Sequence, residues 1–400
     1  MENRPTAGSS ALPYTGFASA LLILFLFAIL TLFVQSYWPV SMFEVGVCVL
    51  AIATLVVFRH VTLQFSWPMI PVASVVCCGL LQELTGHTIY RFETWNSIAK
   101  WVTMGATLLI GLFVFRDRRT AHFARMAMIW FAGLLAVEAT LQTFTTNLVY
   151  WKFPTDGVAY LMGPILYHNH YAAIMLLLLP LPIAEAVENN IRMLLYAGIA
   201  GLIYASIIAS GSRSGALIAT SEVIFIVVLV LLRARNAKAS SLRPILAITG
   251  ILVSAAVFSA AVGWHSVIGR LTGQDAFPLR RQFVTSSIAM LKDHPWFGFG
   301  LGTWSTAYPQ YALIDPGKIA NQAHNDWLQW AVECGIFVAI LLLSLPLWCV
   351  RRSVRTLWGI GVLAFFAEGL MDYPFSRPAL ASAPMLLIAM LSVAEERNPR

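Results

Sequence analysis

One arginine and one histidine stand out because each lies in a short polar segment beside a long apolar run. Arg213 is enclosed by small residues in the segment SGSRSG (210–215), and His324 begins the segment HNDW (324–327). A cation at the centre of a bilayer costs roughly 2.5 kcal/mol or more, so such a residue usually faces a polar cavity. Arg213 is therefore predicted either to bind an anion such as a phosphate or to anchor its helix at the membrane surface. His324 is a candidate general base, because imidazole exchanges protons near neutral pH, although a lone histidine is more often a packing residue.

Two further arginines, Arg280 and Arg281, lie at the start of a predicted amphipathic helix over residues 278–293. The dipole of a helix disfavours cations at this end by about 0.3–1 kcal/mol, so helix stability does not explain the pair. The sequence leaves two explanations open, phosphate binding and contact with lipid headgroups. One stripe of the helix carries mainly apolar side chains: Phe283, Ser287, Met290 and Leu291.

The other polar motifs are less specific. His168 and His170 have a spacing seen in metal sites, but no third ligand follows at a suitable spacing, so no metal site is predicted. The glycine run GFGLG (298–302) resembles a nucleotide-binding loop but lacks the strand and helix that give such loops their function. Asn325 or Asp326 is expected to cap the helix that follows His324.

Several glutamates lie inside apolar runs, where an acid is a functional hypothesis by default. They are the main support for a secondary transporter: Glu138, Glu222, Glu333 and Glu368. A transporter built from inverted repeats would show matching broken spans in its two halves. The sequence shows no such symmetry.

Composition indicates that these residues are positioned by membrane helices. Apolar residues make up 58% of the chain and charged residues 11%, against about 25% charged in a soluble domain. Helices are the structure that satisfies the backbone of such long apolar runs in lipid. The net charge of +7 comes from short Lys and Arg clusters between the runs, which indicates topology control and no nucleic-acid partner. The five cysteines lie inside apolar runs, so no disulfide framework is expected.

The expected fold is an all-α, polytopic bundle of about twelve transmembrane helices. Residues 1–263 would form the first nine spans, 264–327 a long outer segment with amphipathic helices, and 328–400 the last three spans, all in one membrane domain. The predicted spans lie near residues 17–36, 40–58, 67–84, 95–115, 123–142, 171–188, 193–210, 215–232, 244–263, 328–350, 354–371 and 379–394.

The distribution of positive charge predicts the orientation. Most of the 26 Lys and Arg residues fall on one side if both termini are cytoplasmic. The unusual segments 150–170, 211–215, 265–327 and 372–377 would then all emerge on the opposite, outer face. Convergence of independent segments on one face is what a site requires.

Segments in the second half of the chain resemble the O-antigen ligase and polymerase superfamily of bacterial membrane glycosyltransferases. Residues 166–184 (LYHNHYAAIMLLLLPLPIA) resemble its Asn-His segment, and SGSRSG resembles its Ser-Arg turn. Residues 280–304, which include DHPWFGFGLGTW, resemble the stretch from an arginine to a His-Pro and a glycine run. HNDWLQWAVECG (324–335) resembles the helix of the catalytic histidine, with Val338 where ligases carry a last glycine.

The resemblance implies an O-antigen ligase of the bacterial inner membrane with a periplasmic active site. The donor would be a glycan on undecaprenyl pyrophosphate, its polyprenyl tail in an apolar groove between spans, and the acceptor a sugar hydroxyl of lipid A core. His324 would be the base of an inverting transfer, with Arg213 and Arg280 on the pyrophosphate and no metal or cofactor. Further substrate-binding residues are implied: Arg281, His170, Asn169, Asn325, Asp372 and Arg377.

Two other functions remain open. Val338 leaves an O-antigen or exopolysaccharide polymerase with the same donor as an alternative, because polymerases carry a similar His-Asn element. A secondary transporter or lipid-linked sugar flippase is the alternative of another class. Which of Arg280 and Arg281 corresponds to the second arginine of the family is also open.

Overall fold

The computed structural model describes residues 12–34, 36–63, 65–144, 162–188, 191–236, 242–262, 277–313, 317 and 319–396. Within these ranges the chain is helical and has no strand, only an isolated bridge between Met162 and Ile165. The predicted all-α fold is confirmed. The first parts of two predicted outer segments, 150–161 and 265–276, lie outside the described residues.

The helices before the long outer segment alternate with short connections. Their bounds are α1 Leu12–Leu30, α2 Trp38–Val57, α3 Met69–Thr85, α4 Arg91–Val114, α5 Arg118–Phe144, α6 His168–Leu178, α7 Pro180–Glu188, α8 Met193–Ser210, α9 Arg213–Asn236 and α10 Leu242–Val262. Those that follow are α11 Phe277–Asp293, α12 Trp304–Ala307, α13 Asp326–Cys334, α14 Ile336–Thr356, α15 Ile360–Glu368 and α16 Pro378–Glu396. The amphipathic helix predicted over 278–293 is α11.

Eight stretches of the described chain are long and apolar enough to cross a membrane. They are Pro13–Leu30, Trp38–Val57, Arg91–Val114, Arg118–Phe144, His168–Glu188, Met193–Ser210, Arg213–Asn236 and Ile336–Thr356. Shorter apolar stretches correspond to three further predicted spans: Met69–Thr85, Ile248–Ala260 and Pro378–Ala394. The chain is therefore a polytopic helical membrane protein, as predicted.

Two predicted spans differ from a simple continuous helix. The span predicted over 328–350 is divided at Gly335, whose φ of +82° suits glycine and interrupts the helix between α13 and α14. The span predicted over 354–371 is reduced to the nine residues of α15, fewer than the roughly 20 that cross a bilayer. Both short helices adjoin a buried acid, since α13 begins at Asp326 and α15 ends four residues before Asp372.

Helices α6 and α7 form the centre of the bundle. Their span is 89% buried, whereas α1, α2 and α14 are mostly exposed to the surroundings of the protein. Helix α9 approaches α6 closely, since a Cβ on Gly215 would lie 2.6 Å from the Cβ of Ala172. Helix α15 also packs on α6, where a Cβ on Gly361 would lie 2.2 Å from the carbonyl oxygen of Leu177. The beginning of α6 is thus enclosed by the elements that carry the predicted site residues.

Candidate active site

The carboxylate of Asp372 is the centre of a buried polar cluster. The residue is fully buried in the turn between α15 and α16. Its Oδ2 accepts hydrogen bonds from the hydroxyl of Tyr167 at 3.0 Å, from Nδ2 of Asn169, and from Nη2 of Arg280 at 3.2 Å. Its Oδ1 accepts the backbone N–H of Tyr373 at 2.9 Å. Three segments that are distant in sequence therefore meet at one side chain.

His324 contacts the same carboxylate. Its Nδ1 lies 3.3 Å from Oδ1 of Asp372. The imidazole stacks on Phe283 at 5.8 Å between ring centroids and meets Tyr373 edge-on at 4.7 Å. The backbone of His324 has a φ of +54°, a left-handed conformation that costs a non-glycine residue on the order of 1–3 kcal/mol and is found mainly at functional sites. The rings and the carboxylate fix the orientation of the imidazole.

Asn325 fixes the start of the helix that follows His324. Its Oδ1 accepts the N–H of Leu328 at 2.9 Å, which confirms it as the predicted helix cap. Its Nδ2 donates to the carbonyl oxygen of Leu370 at 3.0 Å, two residues before Asp372. The N–H of Asp326 donates to Gly369 in the same segment. These bonds hold the His324 segment against the turn that carries Asp372.

The charges in this cluster set the protonation states. Burial raises the pKa of Asp372, but nearby His324 and Arg280 lower it to about 2. Burial lowers the pKa of Arg280, and the charge of Asp372 more than reverses this effect. Burial and the negative charge of Asp372 both raise the pKa of Tyr167. At neutral pH the cluster holds a carboxylate, a guanidinium and a neutral phenol that donates.

The two neighbouring arginines are placed differently. Arg280 donates through Nη2 to Asp372 and through Nη1 to the carbonyl oxygen of Met371 at 3.1 Å. Its Nε is buried and has no hydrogen bond within the described residues. Arg281 is exposed, one residue further along α11. Arg280 therefore joins the Asp372 cluster, and Arg281 lies at the surface beside it.

The Ser-Arg turn is connected to the Asp372 cluster by hydrogen bonds through Glu368. Gly211, with a φ of +79°, ends α8, and Arg213 begins α9, so the predicted turn between the two spans is confirmed. Ser214 donates to Oε1 of Glu368 at 2.7 Å, and the backbone oxygen of Glu368 accepts the N–H of Asp372 at 2.9 Å. Arg213 itself is exposed. Arg213 and His324 thus lie at the same end of the helical bundle.

An aromatic layer adjoins the cluster. The ring of His170 meets Tyr167 at 4.9 Å and Tyr373 at 5.1 Å, edge-on in both cases. The two tyrosine rings stack at 5.4 Å. His170, Tyr373 and the exposed Arg377 line a polar cavity of about 600 Å³. The tyrosines were not singled out from the sequence, although Tyr167 directly precedes the HNH motif.

Residues 197–343 match a family model described as O-antigen ligase. The match supports a place for this region in the O-antigen ligase superfamily. The matched region includes Arg213, Arg280 and His324, and confirms the resemblance for three of the four sequence segments, while residues 166–184 lie outside it. It supports an O-antigen ligase or polymerase type of glycosyltransferase that acts on lipid-linked glycans. No curated protein matches the chain.

The glycine run of the ligase-family region is a packing element. The glycines at 298, 300 and 302 all have positive φ, and the loop pairs with the end of α13 through N–H groups of Phe299 and Gly300. Gln82 of α3 donates to the carbonyl oxygens of Phe297 and Glu333 at 2.6 and 2.8 Å and accepts the N–H of Leu301 at 2.8 Å. The run thus links α13 to α3 through backbone hydrogen bonds.

Two of the four intramembrane glutamates also have structural partners in the ligase-family fold. The carboxylate of Glu333 accepts the N–H of Gly302 at 2.9 Å and an N–H of Gln329 at 2.9 Å. Glu368 accepts from Ser214. These bonds account for two acids that had supported a transporter. Among the described residues, no three His, Cys, Asp or Glu side chains are grouped as a metal ion requires.

Proposed function

We propose that this protein is an O-antigen ligase that transfers a glycan from undecaprenyl pyrophosphate to a sugar hydroxyl of lipid A core. The observation that carries the proposal is the buried Asp372 carboxylate, which contacts both His324 and Arg280. A base and a phosphate-binding cation are thereby held at one point. The Ser-Arg turn is connected to the same cluster by the hydrogen bond from Ser214 to Glu368.

His324 is the general base in this mechanism. With Nδ1 facing Asp372, the proton of the neutral imidazole belongs on Nδ1, and the lone pair on Nε2 is available to the acceptor. Nε2 takes the proton of the acceptor hydroxyl as its oxygen bonds to the anomeric carbon of the donor. The bond from that carbon to the pyrophosphate oxygen breaks, the pyrophosphate leaves with the electron pair, and the configuration inverts. Asp372 stabilises the imidazolium that forms.

Arg213 and Arg280 bind the pyrophosphate and neutralise the charge that grows on it. Arg280 has an Nε without a hydrogen-bond partner among the described residues and a guanidinium that already lies in a fixed plane. A guanidinium offers paired donors that match phosphate oxygens. Arg281 is exposed and contacts the donor from the side of the solvent. The mechanism requires no cofactor and uses no metal ion.

Other residues position these groups or bind substrate. Asn169 holds Asp372, and Asn325 holds the His324 segment, in each case through the hydrogen bonds described above. His170 and Arg377 line the neighbouring cavity and contact saccharide. The polyprenyl tail lies in an apolar groove of about 640 Å³ along α13, α14 and α15, which begins at Asn325 and continues to Val350.

The proposed location is the bacterial inner membrane, with both termini in the cytoplasm and the site facing the periplasm. The polymerase alternative has one observation in its favour, since Val338 occupies the position of a ligase glycine. It would use the same base and the same pyrophosphate contacts, with a lipid-linked glycan as acceptor.

Transfer by purified protein tests the proposal. Full-length protein in nanodiscs is given a lipid-pyrophosphate-linked glycan and lipid A core, and His324→Gln is compared with His87→Gln, an exposed histidine outside the site. Loss of transfer in His324→Gln alone, with an unchanged melting temperature, supports the base. Full activity of His324→Gln would show that His324 is not the general base. Complementation of a ligase-deficient strain separates ligase from polymerase, because a ligase alone restores long glycan on lipid A core.

A further inference from the structure

A polar cavity of about 600 Å³ adjoins the candidate active site across the rings of Tyr167, His170 and Tyr373. Its walls are formed by the first turns of α2, α4, α6, α13 and α16, which all start at this end of the bundle. Its volume is within the range of pockets that bind small molecules. The mechanism above leaves most of this space without a role.

The cavity is lined by buried polar atoms that lack a partner. His170 is 6% exposed, and its Nε2 makes no hydrogen bond within the described residues. Trp101 is 1% exposed, and its Nε1 is likewise without a partner there. Buried polar groups are nearly always hydrogen-bonded in folded proteins, so each such group requires an explanation. Two of them on the wall of one cavity indicate a polar ligand.

Helix α4 contributes two further polar side chains to the cavity wall. Asn96 and Lys100 line the cavity and make no hydrogen bond or close ion pair with any residue in the described part of the chain. They are about one helical turn apart, so both side chains lie on one face of α4. Amides and ammonium groups donate to hydroxyl oxygens.

The charges of this cavity differ from those of the pyrophosphate site. Four acids line it, Glu44, Glu93, Asp326 and Glu333, against two bases, Lys100 and Arg377. Carboxyl groups exchange hydrogen bonds with sugar hydroxyl groups, whereas a diphosphate, which only accepts, is bound best by a cluster of cations. Trp101 and Trp330, whose rings meet edge-on at 5.7 Å, add an apolar surface. A neutral, polyhydroxylated ligand with apolar ring faces fits this lining, and a diphosphate does not.

The cavity reaches the proposed base. Gln322 and Asp326, two residues on either side of His324, both line it. Tyr373 lines it as well and touches the His324 ring. A sugar held in the cavity therefore presents its terminal hydroxyl beside His324.

We infer that this cavity binds the saccharide end of the acceptor, and that Asn96 and Lys100 determine its affinity. The inference rests on the proposed glycosyl transfer. The donor pyrophosphate and the acceptor sugar then occupy two adjoining sites with different linings. The sugar belongs to lipid A core if the protein is a ligase and to a lipid-linked glycan if it is a polymerase.

Kinetics of full-length protein in nanodiscs test the assignment. Lys100→Gln and Asn96→Ala are compared with Lys292→Gln, an exposed lysine of α11 that does not line the cavity. We expect the KM for acceptor to rise on the order of tenfold in the two cavity variants, with the KM for donor unchanged. Lys292→Gln should behave as wild type. A rise in the KM for donor alone, or no change in either KM, would overturn the inference.

Direct binding separates this inference from the proposed function. Fluorescently labelled, deacylated core oligosaccharide and, separately, an O-antigen repeat oligosaccharide are titrated onto the same proteins without donor. Binding of either sugar that weakens in the cavity variants supports the site, even if no transfer is observed. Absence of binding of both sugars to wild type, or equal binding by all variants, overturns it. Asn96 is exposed, so Asn96→Ala keeps the test valid if Lys100→Gln does not fold.

Discussion

Nδ1 of His324 lies 3.3 Å from Oδ1 of Asp372, while Oδ2 of the same carboxylate accepts from Nη2 of Arg280 at 3.2 Å. One buried acid therefore touches the proposed base and a proposed pyrophosphate ligand. In the proposed mechanism this links proton transfer to charge neutralisation, because a shift of either side chain disturbs the carboxylate that orients the other.

Replacement of Asp372 by asparagine tests its role in orienting and stabilising the imidazole. The amide has the same shape but no charge to stabilise an imidazolium. We expect Asp372→Asn to lower kcat for glycan transfer by a factor on the order of 10²–10⁴. The matched control is Asp293→Asn, an exposed acid of α11 that accepts from Tyr311. Retention of about half the wild-type kcat by Asp372→Asn would show that His324 acts without the carboxylate.

The lowered pKa of Asp372 predicts a pH dependence of stability. Because the folded-state pKa of about 2 is below the ordinary value of 3.8, the stabilisation is complete above about pH 4 and is lost as the pH falls towards 2. The contribution is about 2 kcal/mol. Melting in detergent between pH 5 and 2 should therefore show a decrease that Asp372→Asn lacks and Asp293→Asn keeps. Parallel curves for wild type and Asp372→Asn would contradict the assignment.

Lysine substitutions distinguish the two neighbouring arginines. Lysine keeps the charge but loses the planar pair of donors, so Arg280→Lys can no longer hold Asp372, Met371 and a phosphate oxygen together. We expect transfer by Arg280→Lys to fall on the order of tenfold or more, and Arg281→Lys to change it only a few-fold. Initial rates at saturating and at limiting donor concentration give kcat and kcat/KM for each variant. A larger effect at Arg281 would reverse the assignment of the pair.

Ser214 is predicted to hold the Arg213 turn through its hydrogen bond with Glu368. In Ser214→Ala the buried carboxylate loses its donor, at a cost of about 1–3 kcal/mol, and the turn is released from α15. We expect a higher KM for donor, with partial rescue by Ser214→Thr. Ser221→Ala, which removes a hydroxyl bonded only within α9, is the control. If the KM for donor stays constant in Ser214→Ala, the turn does not depend on this bond.

The sequence predicts those parts of the site in which a polar residue lies within or beside a long apolar run. Arg213 and His324 were recognised because they interrupt or border apolar runs, and Asn325 because it precedes a helix. The pairing of Asp372 with His324 could not be predicted, since it depends on the start of one short helix, α13, lying beside the end of another, α15. A hydropathy pattern detects apolar length but not the breaks at Gly335 and after Glu368.

The tyrosines of the aromatic layer were missed for a different reason. Aromatic residues near a membrane surface are common as interfacial anchors, so Tyr167 and Tyr373 carried no specific signal. The hydroxyl of Tyr167 and the backbone N–H of Tyr373 both donate to the Asp372 carboxylate, and the two rings stack although they are far apart in sequence. A local pattern does not contain such a contact.

Gln82 is predicted to stabilise the whole site from outside the ligase-family region. Its amide serves three backbone groups, and Gln82→Leu would remove all three bonds and leave the buried N–H of Leu301 without its partner, at a cost of about 1–3 kcal/mol for that group alone. Gln142→Leu is the control, since Oε1 of Gln142 already lacks a partner within the described residues. We expect a clearly lower melting temperature for Gln82→Leu alone. Because Gln82 fixes the glycine run against α13, and α13 begins two residues after His324, the proposed transfer should fall at temperatures below the melting transition as well. Wild-type melting and transfer by Gln82→Leu would mean that α13 is held by Glu333 and Asn325 without help from α3.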